Sequence, residues 1–105
     1  NSTNTNRVYV ALKGHFDFDN YPDSDGVACV SYDENSLNLE WIMHSDEFIG
    51  LHGIDISNDG QKLFVSGRID GKLHVLDTKD GTVLQSIKLG PKFSSQPTGV
   101  AYYSN

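Results

Sequence analysis

The chain has almost no cysteine, few basic residues and no long apolar run, and each shortage removes a class of protein. Its single cysteine, Cys29, rules out an internal disulfide and with it a disulfide-stapled scaffold. No stretch approaches the roughly 18 consecutive apolar residues of a membrane-crossing helix. No charged-then-apolar leader opens the sequence, which therefore reads as a mature or excised segment. The 8 Lys and Arg stand against 14 Asp and Glu, and a net charge of −6 is the wrong sign for a nucleic-acid surface. Helical periodicity is missing throughout. Apolar residues make up only 37% of the 105, which is little for a core that must stand alone.

What is present is a unit of about 45 residues written twice, and a period in that range signals stacked or radial architecture. Arg7-Val8-Tyr9-Val10 aligns with Lys62-Leu63-Phe64-Val65, and Asp25 to Asp33 aligns with Asp70 to Thr78. Leu39 to His44 aligns with Val83 to Lys88, and Gly53 to Asn58 with Gly99 to Ser104. Each copy supplies four short strands rich in Val, Ile, Leu, Phe and Tyr. Asn58-Asp59-Gly60, Asp70-Gly71 and Asp80-Gly81 offer the residues that tight hairpin turns require. Leu63-Phe64-Val65 and Leu73-His74-Val75-Leu76 are apolar on both faces, as in a sheet covered on both sides. The expected layout is a flexible arm over 1–6, a first repeat over 7–57 with an acidic insertion at 15–26, and a second over 58–105.

His52-Gly53-Ile54-Asp55-Ile56-Ser57-Asn58-Asp59-Gly60, Lys62-Leu63-Phe64-Val65, Gly71-Lys72-Leu73-His74-Val75-Leu76-Asp77 and Gly81-Thr82-Val83-Leu84 together resemble the β-propeller repeats of the YVTN type. That family writes a Gly-apolar start, a Ser-Pro-Asp-Gly turn, a Leu-Tyr-Val strand and an apolar strand ending in Ile-Asp before Thr-Gly. Asn58 stands where the turn proline would be. The resemblance implies an all-β chain of two four-stranded antiparallel blades, ordered second, third, fourth and first strand, twice over. The second copy then ends in the first strand of a further blade. Two blades cannot close a ring that needs about four to eight. The missing blades would come from the rest of a parent protein or from identical chains.

Three features could carry chemistry. The insertion holds Asp17, Asp19, Asp23 and Asp25, and alternating acidic residues in a Gly-terminated loop can converge oxygens on calcium, although no closing glutamate completes an EF-hand. Its Phe16, Phe18 and Tyr21 suit packing on a neighbour or partner. The resemblance sets His52 at the entry of an innermost strand, near the channel where propeller oxidoreductases hold copper or haem. Cys29 reads as a small buried hydrophobe and His74 as structural. No nucleophile motif or phosphate loop occurs. The leading expectation is a non-catalytic scaffold or interaction segment of an extracellular or periplasmic propeller, its loops used for recognition. The competing one is part of a periplasmic metal- or haem-dependent oxidoreductase.

Overall fold

The computed structural model describes residues 6–12, 25–91, 97 and 99–103, and in them the chain is all-β. Strands β1 (Asn6–Leu12), β2 (Gly26–Tyr32) and β3 (Leu37–His44) form a three-stranded sheet. Strands β4 (Leu51–Ile56), β5 (Lys62–Gly67), β6 (Lys72–Asp77) and β7 (Val83–Lys88) form a four-stranded one. Every neighbour is sequential and antiparallel, so each sheet is a meander. Asn6 opens β1, and residues 1–5, the rest of the expected arm, lie outside the described part.

Local chemistry explains the hairpins. After β4, Ser57 N–H donates to the Lys62 carbonyl at 2.9 Å, and Gly60 turns the chain at φ 75°. The Asp59 carboxylate caps this turn by accepting the Gln61 N–H at 2.9 Å and the Ser57 hydroxyl at 2.6 Å. Between β6 and β7, Gly81 sits at φ 82°, and its missing side chain has a second use. A Cβ there would lie 2.6 Å from the Trp41 ring, so the indole packs directly on the glycine backbone.

That contact joins the two sheets face to face. Val27 from the first sheet clusters with Leu51, Leu63, Val65 and Leu76 from the second and with Phe48 from the loop between β3 and β4. Tyr9, Ala11, Trp41 and Met43 close over the cluster from the first sheet, and Ile54 and Val83 from the second. Two polar bonds fix the alignment. Trp41 Nε1–H donates to the Thr78 carbonyl at 3.0 Å, and Leu51 N–H donates to the buried Asp25 carboxylate at 2.7 Å.

Two differences from the sequence reading stand out. The segment at 99–103 is not a strand. It lies on the second sheet instead, with the Tyr102 ring stacked on Phe64 at 5.5 Å and its N–H donating to Asp55 at 2.6 Å. Among the described residues no strand follows to pair with it, whereas β4 pairs with β5. The second difference is a slip of one residue in the repeat. A bulge follows Cys29 in the first sheet and Val75 in the second. Cys29 therefore corresponds to Val75, where matching Asp25 to Asp70 pairs it with His74. Bulges and pairing, not turn residues, set register, and one residue exchanges the two faces.

Candidate functional site

The register divides every strand into an inward and an outward set. In the first sheet Tyr9, Cys29 and Trp41 stand opposite one another and face the second sheet. Alternate residues point away: Val8 opposes Val30, which opposes Leu39, and Val10 opposes Ala28, which opposes Ile42. This outward row is aliphatic and open along its outer strands, with Val8 46%, Val10 38% and Ile42 44% exposed, while the central Ala28 is buried. In the second sheet Leu63, Val65, His74 and Leu76 face inward and are buried. Phe64, Leu73, Val75, Gln85 and Ile87 alternate with them on the far face. Leu73, Val75, Gln85 and Ile87 line an open groove of about 470 Å³ there. Tyr102 covers the β5 end of that face, and Ile87, at 60% exposed, marks its open end.

Behind that groove lies a polar cluster that the sequence reading did not assemble. His74 is fully buried, edge-on to Phe48 with ring centroids 4.8 Å apart. Its Nε2 is 3.1 Å from Asp70 Oδ2, and its Nδ1 is 2.7 Å from Ser86 Oγ. An ionised carboxylate only accepts, so Nε2 carries the proton and, in the neutral ring, Nδ1 accepts from the serine hydroxyl. Asp70 also accepts the Ile49 N–H at 3.1 Å and the Lys72 N–H at 2.8 Å. Burial pushes the Asp70 carboxyl up, but the bonds from His74, Ile49 and Lys72 outweigh it and hold the group below its ordinary value. A Cβ on Gly67 would run into this carboxylate, so glycine is needed there for close approach.

Asp70, His74 and Ser86 are the residue types of a nucleophilic triad, joined here with Nε2 toward the carboxylate and Nδ1 toward the hydroxyl. The imidazole is fully buried beneath Phe48, whereas Ser86 is exposed and lines the groove together with Leu73, Val75, Gln85 and Ile87. The cluster is a clamp that ties the loop before β4, the turn before β6 and strand β7 together. Its signal in the sequence is an Asp-Gly turn with His four residues after the Asp.

The residues singled out from sequence fall in different places. Asp17, Asp19 and Asp23, with Phe16, Phe18 and Tyr21, lie outside the described residues. Asp25 is buried, and its carboxylate binds the Leu51 N–H. Among the described residues no three His, Cys, Asp or Glu side chains gather as a metal site. His52 is exposed at the irregularity between Leu51 and Gly53. Cys29 is fully buried, and burial pushes its thiol up while Arg7 opposes the shift. No helix among the described residues is long and apolar enough to cross a membrane. Compared with protein-family models, with curated proteins and with solved structures, the chain matches none.

Proposed function

We propose that this chain is a pair of consecutive blades of an extracytoplasmic β-propeller, a rigid scaffold that docks further blades and presents its connecting loops for recognition. One observation carries the reading: each sheet carries apolar side chains on both faces, and among the described residues only one face of each is covered by the other sheet. A two-layer sandwich that ends at its own surface would keep its outward faces polar, as antiparallel sheets facing water do. Here the outward faces carry Val8, Val10, Leu39 and Ile42 on one side and Leu73, Val75 and Ile87 on the other. Leaving such faces in water forgoes about 25 cal/mol for every Å² of apolar surface. Stacking each sheet between two others recovers it.

Tandem fusions test the reading. Copies of the chain joined in one polypeptide should reach a length, of three or four copies, at which the product is a compact monomer that no longer binds a hydrophobic dye. If every length from two to five copies stays dye-binding or aggregates, the propeller reading is wrong.

A further inference from the structure

The two outward faces are not merely both apolar. They are the two halves of an interface the chain already contains. Tyr9, Cys29 and Trp41 stand in one cross-strand row, and Phe64, Val75 and Gln85 stand in the corresponding row, each followed by a bulge. The first row faces the neighbouring sheet inside the chain, so the second row occupies the same place on a face that, among the described residues, no sheet covers and Tyr102 overlies at Phe64. The converse holds at the other end. Val65 and His74 oppose each other on the inward face of the second sheet, as Val10 and Ala28 do on the outward face of the first.

We propose that the far face of the four-stranded sheet, at Leu73, Val75 and Ile87, docks on the outward face of the three-stranded sheet, at Val8, Val10, Val30 and Ile42, of a second copy of this chain. The contact is head to tail and repeats the internal one. It extends the reading above by naming the partner. Because the two surfaces differ, the association is heterologous, and it adds copies until a ring closes or a filament grows.

The same comparison sets its strength. Inside the chain Trp41 packs on Gly81 and donates to the Thr78 carbonyl, both in the turn from Asp77 to Thr82. Between copies the tryptophan position holds Gln85, and the matching turn, from Asp33 to Ser36, is shorter and has no glycine. The copy-to-copy contact lacks that anchor and is weaker than the internal one. A net charge of −6 on each chain opposes it further, and salt screens that repulsion.

Sedimentation of the chain across about 1–100 µM tests this, a range suited to a contact of micromolar affinity. The expected result is a mass that rises with concentration and rises further with salt. Ile87→Lys spoils one face and Val8→Lys the other, both at exposed positions that leave the buried cluster intact. Each variant alone should remain monomeric, while their equimolar mixture should form a one-to-one pair and nothing larger. Trp41 emission reports that each is folded; if Val8→Lys is not, Ile42→Lys on the same face replaces it. A monomeric parent chain, self-association of either variant alone, or a mixture that stays monomeric overturns the inference. The two readings fail separately. A monomeric short chain whose tandem fusions close removes the association of separate chains and keeps the propeller. Short chains that pair in this way while no fusion closes do the reverse.

Discussion

Replacing Asp70 by asparagine keeps the side-chain shape and removes one acceptor, which makes it a clean probe of the buried clamp. Oδ2 accepts from Ile49 N–H and His74 Nε2–H, and Oδ1 accepts from Lys72 N–H. An amide offers one oxygen and one NH2, so wherever the nitrogen falls it confronts an N–H. Placing the oxygen at Oδ2 keeps two bonds and loses one, the better of the two orientations. Loss of a hydrogen bond to a charged group costs about 1.5–3 kcal/mol. Converting the other two from charge-assisted to neutral adds about 1 kcal/mol. The sum, about 2.5–4 kcal/mol, is a large part of the roughly 5–15 kcal/mol that holds a domain folded. At about 4 °C per kcal/mol for a chain of this size, Tm should fall by about 10–16 °C. Asp70→Ala leaves all three donors without the carboxylate and should cost more.

Acid adds an independent arm to the same experiment. The Asp70 carboxyl sits below its ordinary value in the folded chain. Its contribution is therefore complete above the unfolded value of about 3.9 and is lost as pH falls through the folded one. The gap between parent and Asn variant should be constant near neutrality and narrow below about pH 4. Thermal and urea unfolding followed by Trp41 emission measure both. A variant within about 2 °C of the parent, or a gap that widens in acid, would refute the reasoning.

Two comparisons probe the rest of the fold. Gly60 and Gly81 share a left-handed φ, but a Cβ on Gly60 meets open space while one on Gly81 meets Trp41. Gly60→Ala should cost about 1–2 kcal/mol from backbone strain alone, and Gly81→Ala clearly more, with a shift in Trp41 emission; equal costs in urea titrations would show that the indole does not rest on that turn. Cys29, buried with its thiol pushed up, should resist alkylation at neutral pH in the native chain and react once urea unfolds it. Rapid native labelling followed by mass spectrometry would contradict its placement.

Much of the fold was legible from residue order because turn and strand chemistry are local. Asn58-Asp59-Gly60 and Asp80-Gly81 announce their turns, and the Val-, Leu- and Ile-rich runs between them become β4 to β7. The candidate site was less legible because its parts are distant in sequence. Trp41 meets Gly81, Asp25 meets Leu51, and His74 meets Ser86 only after the sheets are paired and stacked.

The sequence by itself determined an all-β chain of two similar units, since strand propensity, turn residues and the period of the copies act over a few residues at a time. Tertiary structure alone decided which face of each strand is buried. Side chains alternate with period two, so the one-residue difference between matching turns and matching bulges exchanges inside and outside. The pairing of Tyr9 with Cys29 and of Phe64 with Val75 therefore settled which apolar residues form the core and which remain open to a neighbour.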